Sequence, residues 1–190
     1  MIANNRPTIA LPSDMNYTVN NAVWETLKAS NHTCKCCGFQ AMPSKAVLSG
    51  YMQVINGEVY CAICAASQQL QQAIMNRQDH GFLIATNDMS QSDVSNLCRE
   101  IGFIMVSDDD PRQQVASQTY ERLLKSELEY SQFQFLSKQE PSTVEGFANC
   151  LEYLPPISDT QKQKLFGKIT YVPNFSVFRR IYSFWKSHTS

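Results

Sequence analysis

Two short runs of cysteine carry the clearest chemistry in this sequence. Thr33-Cys34-Lys35-Cys36-Cys37-Gly38-Phe39 and Tyr60-Cys61-Ala62-Ile63-Cys64-Ala65 each contain a C-x-x-C pair, and 23 residues separate the pairs. Two residues between thiols let the backbone curl so that both sulfurs face one ion. A second pair then completes a tetrahedral set with Zn–S bonds of about 2.3 Å. We therefore expect Cys34, Cys37, Cys61 and Cys64 to hold one structural Zn²⁺, because four thiolates leave no coordination position for water or substrate. Gly38 fits this reading, since a residue tolerant of positive φ lets backbone N–H groups turn toward the thiolates. Cys36 falls outside the C-x-x-C spacing, and Cys98 and Cys150 lie on apolar helical faces, where cysteine behaves as a small core residue.

Other chemistries find less material. The chain has three histidines, His32, His80 and His188, and none of them lies between residues 38 and 60. His32 is expected to be an exposed residue at a helix end. Asp108-Asp109-Asp110 precedes Pro111 and reads as a solvated turn before a helix. There is no glycine-rich phosphate loop, serine elbow or spaced carboxylate pair. With 16 Lys and Arg against 17 Asp and Glu, the 190 residues carry a net charge of −1, which removes the bulk electrostatic argument for a phosphate-gripping protein. That charge is a cancellation: residues 1–87 hold 5 basic and 4 acidic groups, residues 88–152 hold 5 and 12, and residues 157–190 hold 6 and 1. An acidic middle and a basic end are expected to face each other within the fold, or else to face partner chains of opposite sign.

The odd number of cysteines, seven, argues against a disulfide framework. The opening residues show neither the basic head nor the apolar run of an export signal, and apolar stretches such as 82–85 and 103–106 are far below the roughly 20 residues of a membrane span. The expectation is a soluble, reduced, cytoplasmic chain. At 43% hydrophobic and 17% charged it has the composition of a folded protein with a real core.

The elements that would position the cysteines follow from periodicity. Residues 1–19 have no period and read as a flexible arm. Val23, Trp24 and Leu27 have helical spacing, predicting a short helix to about Ala29. Alternation over 46–60 around Asn56-Gly57 predicts strands over 46–54 and 58–60 joined by a tight hairpin. A helix over 62–77 should leave directly from the second cysteine pair. Ser90 and Asp93 form a capping-box pattern ahead of a helix carrying Leu97, Cys98, Ile101, Ile104 and Met105. Further helices are expected over 113–137, 142–153, 158–166 and from Pro173-Asn174 to the end, where Phe175, Phe178, Ile181, Tyr182 and Trp185 make an apolar stripe. The predicted fold class is α+β. A small four-cysteine zinc module with a β-hairpin spans 20–80, and a mainly α-helical bundle packs on it over 81–190.

The order C-x-x-C-G, hairpin with Asn56, C-x-x-C resembles the treble-clef zinc module of HNH nucleases, over about 35 residues. The catalytic histidines of that family have no counterpart between residues 38 and 60, and Ala65 stands where a histidine often follows the last cysteine.

Across residues 20–187 the succession of features is similar to the IcmJ (DotN) family of type IVB secretion systems and related plasmid conjugation systems. The residues that carry the likeness are His32-Thr33-Cys34-x-x-Cys37-Gly38-Phe39-Gln40-Ala41, the Cys61/Cys64 pair with Ala65, and Asp93, Asn96, Leu97 and Cys98. Ala116-Ser117-Gln118-x-Tyr120, Lys164-Leu165-Phe166, Pro173, Phe178-Arg179 and Trp185 continue it. The interval between cysteine pairs is shorter than in the family, and the termini differ. The resemblance implies a non-enzymatic, zinc-containing accessory subunit. Such a subunit binds the coupling-protein ATPase and its complex at the cytoplasmic face of the inner membrane. The alternatives are a degenerate HNH-like nuclease and a zinc-dependent nucleic-acid binder using the basic C-terminus with Arg179-Arg180.

Overall fold

The computed structural model describes residues 19–68, 80–86, 88–127, 158, 160–161 and 168–188. Over these residues the fold is mixed α and β. Helix α1 (Asn21–Ala29) starts on an N-cap in which Asn20 Oδ1 accepts from the Val23 N–H, and it buries Leu27. Strands β1 (Met52–Ile55) and β2 (Glu58–Cys61) form the expected hairpin, pairing Ile55 with Glu58 across Asn56-Gly57. Both turn residues have positive φ, 52° and 79°, as a two-residue loop matching the strand twist requires. Helix α2 (Ala62–Gln68) begins immediately after Cys61 and buries its first five residues.

β1 starts at Met52, six residues later than the alternation suggests. Turn hydrogen bonds hold the preceding stretch, Ser44 N–H to Val47 C=O and Gly50 N–H to the same carbonyl, and Gly50 and Tyr51 both sit at φ +60°, outside the strand region. Apolar alternation alone does not register such a left-handed step.

Beyond residue 80 a second sheet appears that the expectation of a mainly helical region lacks. β3 (Gly81–Ala85) pairs antiparallel with β4 (Ile169–Pro173), from Gly81 opposite Pro173 to Ala85 opposite Ile169. Helix α3 (Gln91–Met105) packs on β4, and helix α4 (Gln113–Lys125) packs on α3. Helix α5 (Phe175–His188) follows β4 after Asn174. The expected arm over 1–18, the helix at 142–153 and Cys150 lie outside the described residues. So do residues 69–77 and 128–137 of two further predicted helices and most of the one at 158–166.

The stripe on α5 is core. Phe178, Ile181, Tyr182 and Trp185 are all buried, in a cluster that also contains Leu27, Phe39, Met52, Val59, Ile63, Cys34, Cys61 and Cys64. Trp185 is fully enclosed, its ring 4.7 Å from that of Phe39 and its Nε1–H donating to the Gly50 carbonyl at 2.7 Å. Gly102 lets α3 and α5 approach: a Cβ there would lie 2.6 Å from the Tyr182 ring. The described ion pairs, Lys28–Glu25, Lys35–Glu58 and Arg112–Asp110, are all local or within the hairpin module. Asp110 of the acidic middle is held low first by Arg112 and, more weakly, by Lys186 of the basic end.

The capping box forms as the sequence predicts, with Ser90 Oγ accepting from the Asp93 N–H and Asp93 Oδ2 accepting from the Ser90 N–H at 2.9 Å. Ser90→Ala is expected to lower stability by about 1 kcal/mol, read as a fall in the urea midpoint at constant slope. The Ser90 hydroxyl and then its backbone N–H hold the Asp93 carboxyl below its usual range. A depressed folded value means this support is complete at neutral pH and is lost as the pH falls below about 4. An unchanged midpoint in the Ser90→Ala protein at pH 7 would contradict the cap.

Candidate metal centre

The first cysteine pair sits on a tight turn built by the backbone. Cys34 N–H donates to the Phe39 carbonyl at 2.8 Å, and Gly38 N–H to the Cys34 carbonyl at 2.9 Å. Gly38 takes φ +72°, as its place after Cys37 leads one to expect. An antiparallel bridge between Thr33 and Gln40 closes the base of the turn, and Lys35 N–H donating to the Val59 carbonyl fastens it to β2. The second pair straddles the β2–α2 junction: Cys61 ends the strand and Cys64 lies in the first turn of the helix. Hairpin register and helix start together aim both pairs at one point.

There the four thiols meet. The Sγ atoms of Cys34, Cys37, Cys61 and Cys64 all lie within 4.8 Å of one another, and those of Cys37 and Cys61 are 3.7 Å apart. A regular tetrahedron with bonds of about 2.3 Å has edges of about 3.8 Å, so the spacing suits a metal ion of zinc's size. All four residues are free cysteines. Cys34, Cys61 and Cys64 are buried, and Cys37 is partly accessible.

Crowding makes the thiols unequal. Hydrogen bonds from Cys37, then Cys61 and Cys64, hold Cys34 far below the ordinary thiol range. Cys61 and Cys64 are pushed far above it, first by Cys34 and then by Cys37. Cys37 is raised by Cys34 but lowered more by Cys61 and Cys64, to about 6, so two thiolates form readily and the other two meet the charge already there. A divalent cation removes that conflict and releases the remaining protons, the usual coupling between metal binding and cysteine ionisation.

Cys36 is half-buried, and burial raises its thiol. It lies outside the four-sulfur set. Cys98 is buried on α3, where desolvation pushes its thiol up to about 12, in keeping with a small core residue. His32 corrects the sequence reading: it is buried, 6% exposed, with its ring edge-on to Trp24. The helix does end there, but Asn31 and His32 both adopt φ +52°, turning the chain back so that the imidazole goes inward, and burial lowers its pKa.

Two residues that touch the thiols carry no signal in the cysteine motif. Arg99 Nη1 lies 3.6 Å from Cys37 Sγ, and Ser95 Oγ lies 3.3 Å from Cys64 Sγ. Both come from α3, and only the fold brings them to the site.

No family model matches the chain, and neither does any curated protein. Fold and site together define a mixed α and β chain with a four-cysteine centre able to hold a metal ion. Among the described residues no helix is long and apolar enough to cross a membrane.

Proposed function

We propose that this chain is a non-enzymatic accessory subunit of a type IVB secretion or conjugative transfer system. It carries one structural zinc in an HNH-like, treble-clef scaffold and docks on the coupling-protein ATPase complex at the cytoplasmic side of the inner membrane. The observation that carries the non-catalytic reading is the closure of the centre. All four donors are thiols, three are buried, and the fourth lies against Arg99. Such a set offers no open position at which water could be activated. The nuclease alternative needs a histidine at a phosphate, whereas the nearest in sequence, His32, is enclosed against Trp24.

The docking face in this reading is the solvent side of α5. Its apolar side is spent in the core, while Ser176, Arg179, Arg180, Ser183 and Lys186 are exposed, and no acidic side chain interrupts the helix. Guanidinium groups presented from a rigid helix suit bidentate pairing with the carboxylates of an acidic protein segment. Affinity-tagged protein expressed in its native host is expected to recover the coupling ATPase, and Arg179→Glu/Arg180→Glu to lose most of that recovery while keeping the wild-type melting temperature. Recovery of no secretion or conjugation ATPase would overturn the proposal. Mg²⁺- or Mn²⁺-dependent cleavage of DNA by the pure protein would favour the nuclease.

A further inference from the structure

We infer that α3 forms the outer wall of the metal centre and that Arg99 is the positioning residue governing how reactive its one accessible thiolate is. This rests on the reading of the four thiols as a metal centre. Arg99 is buried, 8% exposed, and among the described residues no carboxylate pairs with it. A guanidinium cannot shed its charge at any ordinary pH, and a buried cation is costly unless an anion answers it. The sulfur of Cys37, 3.6 Å from Nη1, is the candidate anion. Four thiolates around a divalent ion carry a net charge of −2, so the filled centre supplies the charge that Arg99 lacks, and Arg99 halves the charge the centre must bury.

The guanidinium is held for this task from two other sides. Nη2 donates to Asn96 Oδ1 at 2.5 Å, and Cζ lies over the Phe39 ring, 4.3 Å from its centroid. Phe39 belongs to the same turn as Cys37, so Arg99 clamps that turn through the sulfur and through a cation–ring contact together. One helical turn earlier, Ser95 Oγ reaches Cys64 and receives a hydrogen bond from Gln91 Nε2 at 3.1 Å. Gln91 in turn pairs with both backbone groups of Tyr171, accepting its N–H at 2.7 Å and donating to its carbonyl at 3.0 Å. Gln91, Ser95 and Arg99 are spaced four residues apart, on one face of α3. Each cysteine pair thus receives one contact from that face, and the same face holds β4.

Two consequences follow. Filling the centre anchors α3 and β4 as well as the hairpin. And because Cys37 is the one ligand with solvent access, an electrophile reaches the centre there, where the cation draws electron density from the sulfur and weakens it as a nucleophile.

The test uses the zinc-loaded full chain as wild type and as Arg99→Met, Arg99→Lys and Asn96→Ala. Zinc transfer to a coloured chelator is timed, and cysteine modification by iodoacetamide, in which sulfur displaces iodide to form a thioether, is mapped by mass spectrometry. Arg99→Met is expected to release zinc about 10-fold faster, with Cys37 modified first. Arg99→Lys, which keeps the charge without the fork, should fall between the two. Asn96→Ala, which only loosens Arg99, should shift the rate the same way by a smaller factor and covers the case in which Arg99→Met does not fold. Cobalt-substituted proteins should all keep the charge-transfer absorption of a four-sulfur site, which separates a positioning role from ligation. Equal release rates in all four proteins, or Arg99→Lys as fast as Arg99→Met, would overturn the inference. Wild-type protein without stoichiometric metal would instead refute the metal centre itself.

Discussion

Cys61→Ser and Cys64→Ser proteins will contain substoichiometric zinc and will not show a cooperative melting transition for the hairpin module. The size of the effect follows from comparing two free energies. A structural zinc of this kind contributes an apparent 10–16 kcal/mol, whereas the whole stability of a domain is about 5–15 kcal/mol. Cys61 and Cys64 are fully buried at the point where β2, α2 and the core cluster meet, so a three-sulfur site with a serine hydroxyl cannot relax by admitting water without opening the core. Cys36→Ser is the matched control, since Cys36 lies outside the four-sulfur set and is expected to keep both metal and melting temperature. Metal content by mass spectrometry and thermal unfolding by circular dichroism decide the matter. Wild-type zinc and melting in both ligand variants would rule the centre out. Acidification should act like chelation, because the ligands must be thiolates to bind.

The second large effect is expected at Trp185. Trp185→Ala should cost about 3–5 kcal/mol from the lost burial and the cavity. It also leaves the Gly50 carbonyl without the indole N–H, an enclosed acceptor worth a further 1–3 kcal/mol or so. The sum approaches the total stability of many domains, so the variant is expected to be largely unfolded at 37 °C or to have a urea midpoint near zero. Trp185→Phe separates the two contributions. It retains the contact with Phe39 and loses the hydrogen bond, and should fall between wild type and Trp185→Ala. A wild-type midpoint for Trp185→Ala would mean that α5 is not packed on the cysteine module. The residue matters because it joins distant parts of the chain: its partner carbonyl is 135 residues away in sequence.

Local features are legible in the sequence wherever a neighbouring residue suffices to produce them. Asn56-Gly57 makes its own turn, Ser90 and Asp93 cap each other across one helical turn, and Gly38 meets the backbone demand of the turn that carries Cys34 and Cys37. The α5 stripe, at spacings of three and four, could only be core or interface, and it is core. The legible part ends where a contact spans the chain. The 82–85 run is apolar enough for a strand, yet nothing near it announces β4 as its partner. His32 reads as exposed because a helix end usually is, and two left-handed residues, which helical periodicity does not encode, turn it inward. Arg99 stands in an acidic region outside the cysteine motif, 62 residues from the sulfur it touches.

By itself, then, the sequence determined the four cysteines, the hairpin and caps that aim them, and the apolar stripe of α5. Those are matters of spacing over a few residues, governed by backbone geometry and solubility. Tertiary structure alone decided that β3 pairs with β4, that His32 is enclosed, that Trp185 closes over the cysteine module, and that α3 lends Arg99 and Ser95 to the thiols. A buried guanidinium has meaning only beside the anion that answers it, and the chain must fold before the two can meet.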